Sequence, residues 1–331
     1  MAPKSCNYVT DGTYDVNVIY HHTVGPWMQS FLQDLGEASN LDISIVDPRD
    51  EEGLQQKLPG ADVLWHVLHP FGARDIERAQ NLKLIHKFGV GVNTIDVDHA
   101  SMRRIAVCNM PGSNSQAVAE CALNLMLSCL RHAPWVHGQT VSGQWNLQAE
   151  KVESIGELRG RTVGLVGYGG IPRILAPVLL ALGSRVVYTA RTEKADAEAE
   201  FMELEELLAE SDIVSLHVPL TDETKLLLDR GRLALMKPEA IIVNTARGGL
   251  VDQDCLYEML ESGRLAAAGL DVFSEEPVNS SEPLLRLETV VVAPHLAWHT
   301  RETLERSAHL AVENCRRLRD DEPLENQVNQ F

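Results

Sequence analysis

The feature that most constrains the fold is a regular alternation of short β-branched runs with amphipathic segments. From Val16 onward the runs are DVNVIY, LDISIV, ADVLWHV, LKLIHKF and IAVC, separated by helical segments such as EEGLQQKL and ARDIERAQ. A second series begins at Thr162 with TVGLVG, RVVY, DIVSLHV, AIIVNT, LAAAGLDV and TVVVAPH. Strands that alternate with helices predict parallel sheets covered by helices. Two consecutive α/β units are the simplest interpretation.

Length and charge narrow the class of protein. The chain has 331 residues, enough for about two domains, and its 44% hydrophobic content excludes a disordered or collagen-like protein. Its formal net charge of −18 repels nucleic acid and anionic membranes, so neither is an expected partner. A small anionic ligand would need a local cluster of Arg, Lys or backbone N–H groups.

The cysteines indicate a reducing compartment. They are scattered without a C-x-x-C pair, which is typical of reduced core thiols and predicts a cytoplasmic protein. The six are Cys6, Cys108, Cys121, Cys129, Cys255 and Cys315. The first ten residues contain no apolar signal core, and the most apolar stretch, Cys121 to Leu130, is too short to cross a bilayer.

Two helices stand out between and after the strand series. The segment Ala117 to Leu130 is apolar on nearly every face, so we expect either an inter-domain core helix or packing against another subunit. The segment Arg301 to Arg319 carries apolar residues at helical spacing and should cover one of the sheets. Those residues are Leu304, Ala308, Ala311, Val312, Cys315 and Leu318.

A glycine-rich turn between a strand and a helix resembles a dinucleotide fingerprint. The turn runs Gly167, Tyr168, Gly169, Gly170 and Ile171. The first glycine would permit the tight turn, and Gly169 would let a pyrophosphate approach the N–H groups of the helix N-terminus. Pro172 stands where a third glycine is expected, and Pro177 predicts a kinked or late-starting helix. An ordinary glycine turn is the alternative.

The next strand bears on the choice of cofactor. An NAD site normally shows an acid about 20 residues after the glycines. The segment after Val186 has none before Glu193 but offers Thr189, Arg191 and Lys194, which suit a 2′-phosphate. We therefore expect NADP(H), with NAD(H) as the alternative if Arg191 is only a solvated cation.

Three later segments place polar residues after strands, where ligands bind in doubly wound sheets. They begin at Asn244 (NTARGG), Gly269 (GLDVFSEEP) and Ala293 (APHLAW). With FGVGVNTID from Phe88, NMPG from Asn109, VAE from Val118 and HVPL from His217, they make the chain resemble the D-isomer-specific 2-hydroxyacid dehydrogenase family over nearly its whole length.

This resemblance implies a catalytic trio. Arg247 would grip the substrate carboxylate and polarise its 2-oxo oxygen, because a guanidinium binds two oxygens and keeps its proton. His295 would protonate that oxygen as hydride reaches C2. Glu276 would hold the imidazole in one tautomer and favour its charged form. A surface ion pair for Arg247, a core role for His295 with His299 as decoy, and Glu275 in place of Glu276 remain alternatives.

The resemblance also implies the binding residues. Asp271 would orient the nicotinamide carboxamide, while the backbone around Phe88, Gly89 and Val90 would receive the substrate carboxylate. His217 is expected to be structural, with the backbone after it near the cofactor. The remaining expected cofactor contacts are Val218, Pro219, Thr224, Thr245 and Ala246. No metal is expected, since the pairs His66/His69 and His295/His299 lack a third ligand.

The expected substrate is a 2-oxo acid of unresolved size. A pocket is predicted from Trp65, His66, Leu68, His69, Pro70, Phe71 and Trp298. Aromatic bulk there would either shrink the pocket to suit glyoxylate or hydroxypyruvate or stack on a larger 2-oxo acid. Two further hypotheses are a phosphite-oxidising relative and a cofactor-sensing scaffold like the C-terminal-binding-protein corepressors.

The predicted architecture consists of two doubly wound parallel-sheet α/β domains. A flavodoxin-like substrate domain comprises residues 1–108 and 298–331, and a Rossmann dinucleotide-binding domain comprises residues 109–297. The active site is expected in the cleft between them, where closure would exclude water. The resemblance implies a homodimer, with Cys121 to Leu130 as the expected contact.

Overall fold

The computed structural model describes residues 16–331. These residues divide into two compact units, 16–113 with Arg301–Phe331, and Asn114–Thr300. The sequence places the corresponding boundaries at 108 and 297. Cys6 lies outside the described residues.

The first unit is built on a five-stranded parallel sheet. Its strands run in the order β2-β1-β3-β4-β5, which is the flavodoxin-like doubly wound order. The strands are β1 (Val16–His21), β2 (Leu41–Val46), β3 (Val63–His66), β4 (Leu84–Lys87) and β5 (Ala106–Cys108). The helices of this unit are α1 (Pro26–Ser39), α2 (Glu51–Lys57), α3 (Ala73–Arg78), α4 (Val97–Met102) and α12 (Arg301–Arg319).

The second unit contains a seven-stranded parallel sheet. Its order, β12-β11-β10-β9-β6-β7-β8, is that of a Rossmann sheet with a seventh strand. The strands are β6 (Thr162–Val166), β7 (Arg185–Thr189), β8 (Glu200–Phe201), β9 (Ile213–Leu216), β10 (Ala240–Asn244), β11 (Leu265–Leu270) and β12 (Val290–Val292). The helices are α5 (Ser115–Leu130), α6 (Ala133–Val141), α7 (Ala149–Glu153), α8 (Gly170–Ala181), α9 (Leu204–Glu210), α10 (Arg230–Leu235) and α11 (Gln253–Glu261). The prediction of two doubly wound sheets is confirmed.

The strands form because their β-branched and aliphatic side chains are buried on both faces. Every residue of β3, β4, β6, β9 and β10 is buried, which is typical of parallel sheets covered by helices on both sides. The carboxyl ends of β10, β11 and β12 are neighbours in the second sheet. Residues that follow these three strands therefore meet at one edge.

Helices α5 and α12 correspond to the two helical segments that the sequence predicts. The apolar helix α5 packs against α8 and β11 within the core of the second unit, and Leu127 of the same helix is exposed. Helix α12 begins at Arg301 and ends at Arg319 as predicted, and buries Leu304, Ala308, Ala311 and Cys315. No helix among residues 16–331 is long and apolar enough to span a bilayer.

Candidate active site

His295 lies just beyond β12 and is hydrogen-bonded to a carboxylate. Its Nδ1 is 2.6 Å from Oε2 of Glu276. The other carboxylate oxygen, Oε1, accepts the amide hydrogen of Phe273 at 3.0 Å. Of the two adjacent acids, the structure therefore pairs Glu276, not Glu275, with the imidazole. This bond leaves Nε2 as the ring nitrogen that can face a substrate.

The charge of Glu276 is stabilised despite partial burial. Burial alone would raise its pKa, but the hydrogen bond and charge of His295, the Phe273 amide and the charge of Arg247 together lower the pKa below its usual value. Glu276 is thus an anion at neutral pH, so it can accept a hydrogen bond from the N–H group of the imidazole.

The backbone of His295 is held in an unusual conformation. Its φ is +55°, in the left-handed region that non-glycine residues seldom adopt. The His295 amide donates to the carbonyl oxygen of Asp271 at 2.8 Å, and the indole Nε1 of Trp298 donates to the His295 carbonyl oxygen at 3.0 Å. Trp298, predicted from sequence as a pocket residue, is 7% exposed and helps to fix the turn that carries the imidazole.

Asp271 follows β11 and is almost completely buried. One carboxylate oxygen accepts the amide of Leu296 at 2.8 Å and the other accepts the amide of Ala297 at 3.0 Å. Burial raises its pKa, while these two amides oppose the rise. The sequence suggested a contact with the cofactor for Asp271, and did not reveal that it also holds the loop after His295.

Arg247 follows β10 at the same edge of the sheet. Its Nη1 donates to the Ala246 carbonyl oxygen at 2.6 Å, and the Asn244 side chain brackets the turn by bonding the Arg247 carbonyl oxygen and the Ala246 amide. Burial lowers the pKa of the guanidinium, and the charge of Glu276 opposes that shift. A guanidinium keeps its proton even so, and its fork can grip a carboxylate.

A glycine after Arg247 is required by close packing. A Cβ at Gly248 would lie 1.9 Å from the carbonyl carbon of Phe273. Only glycine therefore lets the Arg247 turn approach the Phe273 backbone, whose amide binds Glu276.

The glycine turn joins β6 to α8. Gly167 has φ +99°, and a Cβ there would lie 2.6 Å from the carbonyl oxygen of His217, so both conformation and contact demand glycine. Helix α8 begins at Gly170, with Gly169 as its N-cap, which contradicts the predicted late start. Pro172 is tolerated because it lies in the first turn, where amides have no intrahelical partner. Pro177 lies inside the helix, where its missing N–H leaves the Arg173 carbonyl without the usual donor.

The residues around this turn fit a dinucleotide. The space that a Cβ on Gly169 would enter holds no atom within 4 Å, and the first turn of α8 carries no acid that would repel a phosphate. The hydroxyl of Thr245, two residues before Arg247, is buried and has no partner among residues 16–331. Ile171, in the first turn of α8, is half-buried and packs against the core of the second unit.

The segment after β9 also faces the glycine turn. His217 is neutral, because burial lowers its pKa to about 3, and neither ring nitrogen has a hydrogen-bond partner among the described residues. Its carbonyl oxygen lies against Gly167, as described above. After half-buried Val218, the hydroxyl of Thr224 donates to the Pro219 carbonyl oxygen at 2.6 Å and fixes the turn.

The end of β7 carries the residues expected to choose the cofactor. The Thr189 carbonyl oxygen accepts the Gly167 amide at 2.9 Å, which ties this strand to the glycine turn. Arg191 is exposed, and Lys194 Nζ donates to the Thr192 hydroxyl at 3.1 Å. No carboxylate stands between Val186 and Thr192.

The predicted carboxylate loop lies in the first unit, after β4. The amides of Phe88 and Gly89 already donate, to the carbonyl oxygens of His66 at 2.8 Å and Lys87 at 3.0 Å. The Val90 amide donates to none of the described residues, and its side chain is exposed. Of these three amides, that of Val90 is the one without an acceptor among the described residues.

The predicted aromatic pocket is partly wrong. Trp65 and Phe71 are 0% and 1% exposed and belong to the core of the first unit. The Trp65 ring packs against those of Tyr20 and Phe88. His66 is also buried, its Nε2 being 2.7 Å from the His69 carbonyl oxygen, while Leu68, His69 and Pro70 remain accessible. Within residues 16–331 no three acidic, histidine or cysteine side chains form a metal site.

Comparison with known proteins places the chain in a family. A family model for the D-isomer specific 2-hydroxyacid dehydrogenase, NAD binding domain, matches residues 123–297, more than half of the chain. The chain belongs to this family. The family prediction made from sequence is confirmed, and with it an oxidoreductase of 2-oxo and 2-hydroxy acids that contains a nicotinamide-dinucleotide-binding domain.

Several members of the family resemble the chain over most of its length. A hydroxypyruvate reductase of Thermotoga maritima is 40% identical over 261 residues, covering 78% of this chain and 84% of the relative. A glyoxylate reductase of Korarchaeum cryptofilum is 37% identical over 289 residues, covering 86% and 87%. The crystal structure of the TT0316 protein from Thermus thermophilus superposes with a TM-score of 0.84 at 37% identity, covering 95% of this chain and 100% of that one.

Proposed function

We propose that this protein reduces a small 2-oxo acid, glyoxylate or hydroxypyruvate, to the D-2-hydroxy acid with NADPH. The observation that carries the proposal is the 2.6 Å contact between His295 and Glu276, at the same sheet edge as Arg247. The family relatives named hydroxypyruvate reductase and glyoxylate reductase support the choice of substrate.

The chain's own residues perform the acid–base step. A nicotinamide dinucleotide held at the glycine turn from Gly167 to Gly170 would supply the hydride. His295 donates a proton from Nε2 to the carbonyl oxygen, and Glu276 stabilises the imidazolium before that transfer. In the reverse direction the same nitrogen accepts the hydroxyl proton.

Arg247 binds and polarises the substrate. Its Nη1 is held by the Ala246 carbonyl oxygen, so its remaining N–H groups are available to the carboxylate and the 2-oxo oxygen. Its partial burial strengthens these contacts, because the local dielectric is lower than in water.

The preference for NADPH rests on the segment after β7. Arg191 is exposed and donates no hydrogen bond to any residue of 16–331, so its guanidinium is available to a 2′-phosphate. Glu223 interacts electrostatically with Arg191, but this carboxylate already accepts a hydrogen bond from Thr221 at 2.6 Å. Thr189 and Lys194 complete the proposed phosphate site.

We also propose a homodimer and a cytoplasmic location. Large apolar side chains are exposed in and beyond α5, at Leu127, Val141, Trp145 and Val152, and Trp145 is 83% exposed. A second copy of the chain would cover this surface. The five cysteines among residues 16–331 are all unpaired thiols, which supports a reducing compartment. Light scattering that gives the mass of one chain would contradict the dimer.

A turnover panel tests the proposed activity. Loss of nicotinamide absorbance is followed with NADPH and NADH in parallel against glyoxylate, hydroxypyruvate, pyruvate, phenylpyruvate and a branched 2-oxo acid. We expect the fastest turnover with NADPH and one of the first two acids. Faster turnover of phenylpyruvate or the branched acid would overturn the substrate, and no turnover of any acid would overturn the reaction.

A further inference from the structure

The loop between β7 and β8 is held by hydrogen bonds at three alternate residues, Lys194, Asp196 and Glu198. The hydroxyl of Tyr188 accepts the Lys194 amide hydrogen at 2.7 Å and lies 3.4 Å from the Lys194 carbonyl oxygen, to which it donates. Arg173 of α8 makes two hydrogen bonds to the Asp196 carboxylate, at 2.7 and 3.0 Å. The hydroxyl of Tyr168 accepts the Glu198 amide at 3.3 Å. The loop is therefore anchored to both β7 and the glycine-turn helix.

The two tyrosine rings form a rigid support for these hydroxyls. Tyr188 is 0% exposed, its ring centroid lies 4.2 Å from that of Tyr168, and the edge of Phe201 packs on it at 5.6 Å. The guanidinium of Arg173 lies over the Tyr168 ring at 5.4 Å. Because the rings are packed, the hydroxyl of Tyr188 has a fixed position.

This anchoring fixes the segment that contains Arg191. Thr189 is held at one end by the Gly167 amide, and Lys194 is held at the other by Tyr188. The four residues 190–193 span these two fixed points, so the backbone of Arg191 has little freedom. Lys194 Nζ reaches back to the Thr192 hydroxyl, which keeps a second cation on the same segment.

The anchoring contacts also determine which of the charged side chains near Arg191 are paired. The carboxylate of Asp196 forms an ion pair with Arg173 and also interacts electrostatically with Lys194. Glu193 and Glu198 are exposed, where solvent and salt screen their charges. The segment therefore presents two cations from a backbone that is ordered before a ligand arrives.

We propose that Tyr188 is a positioning residue for recognition of the 2′-phosphate of an adenine nucleotide. Its hydroxyl fixes Lys194 and, through it, the Arg191 segment, so that binding a phosphate does not have to order the loop. A ligand with a free 2′-hydroxyl lacks the phosphate that Arg191 and Lys194 would bind. This inference rests on the proposed preference for NADPH.

Binding of cofactor fragments to the full chain tests the proposal without turnover. Titration calorimetry compares 2′,5′-ADP with 5′-AMP in the wild type, Tyr188→Phe and Tyr257→Phe. The first variant removes only the hydroxyl that holds Lys194. The second makes the same chemical change on α11, where the hydroxyl bonds Glu261. We expect the Tyr188 variant to bind 2′,5′-ADP about tenfold more weakly (about 1.4 kcal/mol) with unchanged 5′-AMP affinity, and the Tyr257 variant to match the wild type.

The outcomes separate this inference from the cofactor preference. If the wild type binds both fragments equally, the NADPH preference fails and this inference fails with it. If the wild type prefers 2′,5′-ADP and Tyr188→Phe keeps that preference, only this inference is overturned. A parallel loss of both affinities would show general damage and also overturn it.

Hydrogen exchange of the wild-type protein tests the proposal even if the Tyr188 variant does not fold. We expect the Lys194 amide to be protected from hydrogen exchange in the ligand-free wild type. Free exchange of that amide would show that the segment is not ordered in advance, and would overturn the proposal.

Discussion

The amide of His295 donates to the carbonyl oxygen of Asp271 at 2.8 Å, and the Asp271 carboxylate accepts the next two amides, those of Leu296 and Ala297. One buried acid thus binds three consecutive amides of the turn that carries the imidazole. A left-handed φ at a residue other than glycine costs on the order of 1 kcal/mol or more. The bonds from Asp271 and Trp298 offset this cost and set the direction of the His295 ring.

Replacing His295 by Ala should lower kcat for 2-oxo acid reduction by about 10²–10⁴, the usual contribution of a positioned general acid. The affinity for NADPH, measured by fluorescence titration, should change little. His299→Ala, four residues further on, is the matched control and should retain most of the activity. A near-normal kcat for the His295 variant would remove this residue from the mechanism.

Replacing Glu276 by Gln should lower kcat for 2-oxo acid reduction. The reason is that the variant loses the charged acceptor that holds Nδ1 of His295. Glu275→Gln makes the same change one residue away and should keep kcat near the wild-type value. An equal loss of kcat in the two variants would contradict the pairing of His295 with Glu276.

Replacing Arg191 by Asp should reduce the ratio of kcat/KM for NADPH to that for NADH by about tenfold or more, since a charge-assisted contact is lost and a repulsive charge is gained. Arg131→Asp, an equal charge change at an exposed position of the same unit, controls for net charge. An unchanged cofactor ratio in the Arg191 variant would place the 2′-phosphate elsewhere.

Replacing His217 by Phe should make the protein less sensitive to acid. Burial lowers the pKa of His217 from 6.5 to about 3, so the unfolded chain binds a proton that the folded chain does not. Stability is therefore lost as pH falls below 6.5, by about 1.4 kcal/mol per pH unit for this group.

Thermal unfolding midpoints at about pH 7 and about pH 5 measure this effect. The drop between the two should be smaller in His217→Phe than in the wild type, while His137→Phe, at an exposed histidine, should show the wild-type drop. Equal drops in all three proteins would show that His217 is protonated in the folded state. Buried His21 and His86, whose pKa values burial lowers to about 4, and His66, whose pKa burial also lowers, add to the acid sensitivity in the same way.

The sequence predicted much of the fold and of the site because both depend on local patterns. β-branched runs marked the long strands, and Arg247, Asp271 and His295 each followed one of them. The two-residue strand β8 escaped notice, since it contains only Glu200 and Phe201 and has no periodicity to detect.

Other features depend on tertiary structure and have no local signal. Trp65 is buried against Tyr20 and Phe88, and Phe71 pairs with Ile95, so both are covered by residues from other segments of the chain. The choice of Glu276 over Glu275 depends on how the chain turns after β11. The bonds from the Tyr188 hydroxyl to Lys194 join residues six apart through an irregular loop, which no spacing rule describes.

The return of the chain to its first unit has a consequence for biosynthesis. Asn314 of α12 bonds the His86 ring of β4 at 3.0 Å, and Asn329 near the end of the chain bonds the Val107 amide of β5 at 2.8 Å. Asn314 and Asn329 are synthesised only after residues 114–300. The second unit can therefore fold during translation while part of the core of the first unit is still uncovered. Residues 16–113 can therefore be completed only after the second unit has been synthesised.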